Sequence, residues 1–177
     1  MSESVLKIRD LRVTFNTQLG ELRAVRGVDV DVTPGEILGV VGESGSGKSV
    51  SFLAAMGLLP KSATITGSVE LDGVELIGAG RKAIRSVRGK SLAMVFQDPF
   101  ASLNPRMRVA DILEEGMRSL RPDWSSERRL RQVAELVERV GLRPDALQRF
   151  PHEFSGGQRQ RLAIARALAV EPQLLVC

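Results

Sequence analysis

Gly42-Glu43-Ser44-Gly45-Ser46-Gly47-Lys48-Ser49 has the residue types and spacing needed to hold a chain of phosphates. It fills every position of the pattern G-x-x-x-x-G-K-[ST]. Glycines let backbone N–H groups turn inward on an anion with no Cβ in the way. A helix opening at Lys48 would aim the positive end of its dipole at the same anion. Lys48 would reach the β- and γ-phosphates of a nucleotide, and the Ser49 hydroxyl would hold Mg²⁺; the loop alone leaves kinases, GTPases and motor ATPases open. At ordinary residue frequencies a chance match is on the order of one in two hundred for a chain this long. Nucleotide binding is the expectation.

A second cluster, Ser155-Gly156-Gly157-Gln158-Arg159-Gln160-Arg161, opens another helical stretch. Ser-Gly-Gly at a helix start gathers free backbone N–H groups, hence a second anion site. Alone, such a triplet reads more readily as a helix N-cap with flexible glycines.

The elements that must position these clusters follow from patterning. Ile37-Leu38-Gly39-Val40-Val41 has no polar face and predicts a strand buried on both sides, leading into the phosphate loop. Lys48 to about Leu59 reads as a helix closed by Pro60. Before the loop, Val5–Arg9, Leu11–Val13 and the alternating Val28, Val30 and Val32 predict half-buried strands. Val69 to Leu76 predicts a hairpin turning at Asp72-Gly73. Ser91–Phe96 predicts another buried strand. From Val109 the texture is helical. Leu130, Val133, Ala134, Val137 and Val140 are placed on one helix face, capped by Gly141. Ser155 is the N-cap of a helix to about Val170, with Pro172 beyond. The closing Leu174-Leu175-Val176-Cys177 begins like a buried strand, which marks the chain as an expected fragment.

Bulk properties agree. The 177 residues are 43 % hydrophobic and 26 % charged, as in an ordinary globular domain with a real core. One cysteine forms no intrachain disulfide. No segment approaches the roughly 20 apolar residues of a membrane span, and the N-terminus lacks a signal-peptide pattern. The charge of +4 comes from basic residues that alternate with acids as on a solvated helix face. With 4 % aromatics there is no stacking patch for bases, so no nucleic acid partner is expected.

Together the two clusters resemble the phosphate loop and signature motif of ATP-binding-cassette proteins. Further pieces arrive in that family's order across essentially the whole chain. Phe15 resembles the aromatic that stacks on adenine, though it reads equally well as a core aromatic. Gln97 resembles the Q-loop glutamine that approaches Mg²⁺ and the attacking water. Leu174–Cys177 resembles the strand leading to the Walker B acids. Phe154 stands where the signature usually opens with Leu. Phe96 to Pro105 and Pro151 to Phe154 resemble the oligopeptide, dipeptide and nickel importer branch.

The resemblance implies an α/β fold. A P-loop NTPase core (about 1–105) would carry an antiparallel β subdomain, and an α-helical signature subdomain (about 106–170) would precede the start of the Walker B strand (173–177), all one cassette domain over 1–177. It implies catalytic roles for Lys48 and Gln97, nucleotide contacts from Phe15, Gly42 to Ser49, Gln97 and Ser155 to Gln158, and Mg²⁺ near Ser49 and Gln97. The implied function is the ATP-hydrolysing subunit of an importer of peptides or a similar small solute such as nickel. Implied partners are a second cassette packed head to tail, transmembrane permease subunits and an extracytoplasmic solute-binding protein. The location would be the cytoplasmic face of the membrane. Asp98 to Pro105 and the helical surface would meet the permease.

The catalytic Glu and switch His would follow Cys177, so these residues alone are expected to bind nucleotide weakly at best and to hydrolyse it negligibly. His152 reads as a local packing or loop residue and Cys177 as an ordinary small apolar strand residue. A soluble cassette ATPase of DNA repair or translation is the alternative, as is a truncated, non-hydrolysing nucleotide-binding module. Gln97 to Ser155 holds neither Cys pairs nor heptads, which favours transport. A small-molecule kinase would leave Ser155 to Gln160 without purpose.

Overall fold

A β-bulge in the first strand organises the N-terminal part of the chain. In a computed structural model that describes residues 4–98 and 102–177, β1 (Leu6–Thr17) pairs antiparallel with β2 (Gly20–Val32) and with β3 (Ala63–Leu71). Register breaks on both sides between Ile8 and Arg12. Asp10 sits there at φ 43°, its N–H donating to Asp29 Oδ1 at 2.8 Å. The bulge brings the Asp10 carbonyl so close to Gly67 (φ 97°) that a Cβ there would lie 2.4 Å away. Only glycine fits at that crossing.

The short β4 (Val74–Glu75) completes a four-stranded sheet in the order β2-β1-β3-β4. As expected, Asp72-Gly73 makes the β3–β4 turn, with Gly73 at φ 77°. One sheet face buries Leu6, Ile8, Leu11, Val13, Val69 and Leu71. Helix α1 (Lys48–Ala55) packs against β1 and β2. It ends short of Leu59, because Gly57 turns the chain at φ 58° before Pro60. Helix α2 (Arg81–Val87) follows. These elements make one compact unit, residues 1–86; residues 87–177 make a second.

In the second unit β5 (Leu92–Met94) pairs in parallel with β6 (Leu174–Val176). Both are the expected apolar strands, shorter than the patterning suggested; β6 is half-buried where a buried strand was expected, and Phe96 lies outside β5 and is exposed. Helices α3 (Val109–Leu120), α4 (Ser126–Arg139) and α5 (Gly156–Leu168) share a core of Ile112, Leu113, Met117, Val133, Leu136, Val137, Phe154 and Leu162. Among the described residues no helix is long and apolar enough to cross a membrane.

Two expectations fail here. Ile37 to Val41 is not a buried strand: it pairs with no described strand, and Ile37 and Val41 are each 97 % exposed. A strand buried on both faces needs a hydrogen-bonded neighbour and a covering layer, and the described residues supply neither. The apolar stripe of α4 is also rotated. Leu130 is 61 % exposed and Ala134 is exposed, whereas Leu136 joins Val133 and Val137 in the core. The error was of phase, since both stripes satisfy helical spacing. The cap is as read. Gly141 (φ 70°) donates to the Glu138 carbonyl at 2.8 Å and Leu142 to that of Val137 at 3.0 Å, a Schellman ending.

One carboxylate in this unit is nearly enclosed. Glu114, 9 % exposed, accepts from Arg118 Nη2 at 2.7 Å and Arg129 Nε at 2.9 Å. The hydrogen bond from Arg118, helped by that from Arg129, holds its carboxyl below the ordinary range against the opposing effect of burial.

Leu136→Ala should cost about 3 kcal/mol of stability and Leu130→Ala no more than about 0.5 kcal/mol in denaturant unfolding. The reverse ranking would show the phase assigned to α4 to be wrong. A lowered carboxyl pKa stabilises the fold above the unfolded-state value and loses that contribution as pH falls through the folded one. Glu114→Gln should therefore be destabilising at pH 7, with the deficit shrinking below about pH 4, as read from melting temperatures across pH.

Candidate functional site

The phosphate loop curls around its own lysine. Lys48 Nζ donates to the carbonyls of Gly42 at 2.6 Å and Glu43 at 2.7 Å, and to Ser46 Oγ at 3.3 Å. The Ser46 N–H turns back to the Glu43 carbonyl at 3.2 Å. Gly45 (φ 84°) and Gly47 (φ 94°) take the left-handed conformations that direct successive amides inward. Among the described residues the amides of Gly45, Gly47, Lys48 and Ser49 reach no acceptor. Gly47 is the N-cap of α1 and offers no side chain to that helix's first turn. The vacant acceptor role there is what an anion fills.

Two glycines are also sterically required. A Cβ on Gly47 would lie 2.5 Å from the Ala24 carbonyl, and one on Gly42 would lie 2.7 Å from Ser46 Oγ. Gly47 thereby abuts β2 at Ala24 and Val25. Val25 pairs with Val13 of β1, two residues from Phe15. Phe15 is half-buried and paired with Leu22 and Ala63. It stands on the same sheet as the loop's contact, one strand away. Glu43 and Ser44 are exposed on the loop, and Ser49 is exposed in the first turn of α1.

The other predicted residues lie in the second unit. Gln97 is exposed, three residues beyond the end of β5. Of the loop that was to follow it, Pro99, Phe100 and Ala101 lie outside the described residues. Ser155 is the N-cap of α5, as expected, and it is half of a capping box. Its N–H donates to Gln158 Oε1 at 3.0 Å, while its hydroxyl accepts the Gln158 N–H at 3.4 Å. Gly156 and Gly157 are exposed, and a Cβ on either would meet nothing within 4 Å. Neither has a positive φ. Nothing among the described residues demands glycine at these positions. Phe154, in place of the usual Leu, is 3 % exposed in the helical core, with the Arg149 guanidinium 4.4 Å over its ring. His152 is exposed and stacks on Phe150 at 5.7 Å, in keeping with a local packing or loop residue.

What the patterning missed is a set of arginines that anchor α5 to backbone carbonyls. Arg159 Nε donates to Pro151 O at 2.8 Å. Arg161 Nη1 donates to Gly141 O at 3.1 Å, and Arg166 Nη1 reaches Ser102 O. From α3, the C-capping Arg121 donates to Val170 O at 2.7 Å and Glu171 O at 3.1 Å, just past the end of α5. Only the density of arginine in this helix could have hinted at it.

The model of the ABC transporter family matches residues 25–177. The oligopeptide transport ATP-binding protein OppD of Mycobacterium bovis is 45 % identical over 98 % of this chain, which covers 29 % of OppD. OppF of Bacillus subtilis is 42 % identical over 99 % of the chain, which covers 57 % of OppF. The chain thus spans about half or less of the relatives it matches. A dimeric structure of the ATP-binding cassette MJ0796 bound to ADP and Pi is 27 % identical, with a TM-score of 0.84 over 96 % of this chain and 72 % of that one.

Gly47→Ala combines a left-handed φ with a backbone clash, so it should abolish any rise in melting temperature on adding MgATP. Gly45→Ala meets open space and only the strain of its φ, about 1–2 kcal/mol, and should weaken that rise without removing it. Equal effects would show that the Ala24 contact does not shape the loop.

Proposed function

The chain belongs to the ABC transporter family, and on that premise we propose that it forms the MgATP-binding portion of the ATPase subunit of an oligopeptide importer. The observation that carries the reading is the open surface over Gly156 and Gly157. Two glycines that nothing among the described residues requires, at the start of a helix already capped by Ser155 and Gln158, suit a close approach by something outside the chain. A nucleotide held by a second cassette is that approach, and the cassette dimer bound to ADP and Pi among the structural relatives supports it.

Each of two composite sites would join the phosphate loop of one cassette to Ser155, Gly156, Gly157 and Gln158 of the other. The unspent amides of Gly45, Gly47, Lys48 and Ser49 would cradle the β-phosphate. Lys48 would leave the carbonyls of Gly42 and Glu43 for the γ-phosphate. The Ser49 hydroxyl is a hard oxygen donor suited to Mg²⁺, and Gln97 would help place the attacking water. Mg²⁺ would neutralise charge on the β- and γ-phosphates. Phe15 would stack on the adenine.

The importer assignment rests on relatives named for oligopeptide transport. Permease subunits, an extracytoplasmic binding protein and the cytoplasmic membrane face come with that reading. A groove of about 480 Å³ lined by Arg106, Met107, Asp111, Glu115 and Arg118 is a fitting seat for a permease segment, beside the loop that ends at Pro105.

Gly157→Ala tests the central point. Its Cβ enters open space in a helix, so the variant should be as stable as the parent or gain about 0.5–1 kcal/mol. It should keep its affinity for nucleotide. In the subunit assembled with its permease, ATP turnover and peptide uptake should fall at least 100-fold. Full turnover by this variant would remove the signature helix from the site.

A further inference from the structure

We propose that Arg166 is a positioning residue that ties the segment following Gln97 to the signature helix of the same cassette, and so makes the two composite ATP sites answer to each other. The inference rests on the function proposed above. Arg166 lies in α5, ten residues beyond Gly156. Its Nη1 donates to the carbonyl of Ser102, five residues beyond Gln97, and its Nη2 lies 3.7 Å from Glu115 Oε2 on α3. One planar guanidinium thus holds a backbone oxygen and a carboxylate on separate nitrogens, which a lysine ammonium, a point charge, does not reproduce.

The fixing of α5 gives this bond its consequence. Arg159 ties the helix to Pro151, Arg161 to the end of α4, and Arg121 holds the carbonyls that follow it. Of these four anchors only Arg166 addresses the segment leaving Gln97. Its partner there is a backbone carbonyl, so any displacement of that backbone is felt directly. A helix is stiff over the roughly 15 Å from Arg166 to Gly156, at 1.5 Å per residue. Gln97 answers to the nucleotide on its own phosphate loop, whereas Gly156 and Gly157 serve the nucleotide on the other cassette. A tie between them within one chain converts occupancy of one site into a bias on the second, and that bias is reciprocal. The ion pair to Glu115 is half-exposed, with side chains 42 % and 58 % accessible, and contributes little by itself.

The experiment compares Arg166→Lys with Arg161→Lys in the subunit assembled with its permease, reading ATP turnover against ATP concentration. Both variants remove a carbonyl anchor from the same helix, but only one anchor points at the segment after Gln97. The parent should show a Hill coefficient near 2, Arg161→Lys should keep it, and Arg166→Lys should fall to near 1 with its nucleotide affinity unchanged. Equal retention or equal loss in the two variants overturns the proposal, as does a parent whose turnover is not cooperative. A parent with no ATP turnover removes the function beneath it and this inference with it. A measurement without variants guards against misfolding. On adding a non-hydrolysable ATP analogue, amide exchange in 102–108 and 155–160 should slow together, and slowing confined to one segment overturns the tie.

Discussion

An α-helix leaves the N–H groups of its first turn without partners, and the way each helix start in this chain meets that demand governs what the site can do. At α4 the Ser125 hydroxyl accepts from Arg128, a purely internal solution. At α3 the first amide finds the Arg149 carbonyl at 3.0 Å. Helix α1 begins on Gly47, which has no side chain to give, after a loop whose amides turn inward. Its unmet donors concentrate positive potential at one point, with Lys48 beside it. The Gly42 and Glu43 carbonyls that hold the Lys48 ammonium keep that charge in place until a stronger acceptor arrives.

At the opposite ends of helices the chain uses arginine. Carbonyls after α4 and α5 are as unsatisfied as the amides before α1, and Arg161 and Arg121 close them. An arginine donating to carbonyls suits the negative end of the helix dipole and joins segments distant in sequence. The helical unit is therefore fixed by two kinds of contact. An apolar core around Met117, Leu136 and Leu162 sets how the helices lie, and guanidinium–carbonyl bonds set where α5 can slide. The second kind is directional and local, so it can transmit a small shift that a packed core would absorb.

The phosphate loop, the N-cap at Ser155 and the turn at Asp72-Gly73 were legible in the sequence because each is a local rule. A glycine at a left-handed φ or a serine before a helix needs only its neighbours to be recognised. What failed was non-local. Ile37 to Val41 has the composition of a central strand, but a strand is defined by its partners, and composition does not say whether they are at hand. Leu130 and Leu136 are equally good candidates for the buried face of α4, and only α3 and α5 decide between them. The arginine anchors were invisible because their acceptors are carbonyls, which every residue has.

The signature shows why local and functional readings need not compete. Ser155 and Gln158 are fully employed in a reciprocal capping box, which is the structural explanation for both side chains. That explanation does not reach the two residues between them. A capping box works as well with alanine at the first two helical positions, and alanine would favour the helix by about 0.5–1 kcal/mol at each. Two adjacent glycines at exposed positions, with ordinary helical φ and open space where each Cβ would stand, therefore represent a stability cost with no internal return. The cap fixes their amides in direction, and the missing side chains leave those amides reachable. Rigid donors with nothing in front of them are what an approaching phosphate requires, and under the proposed function the capping residues would serve that approach by holding the glycines still.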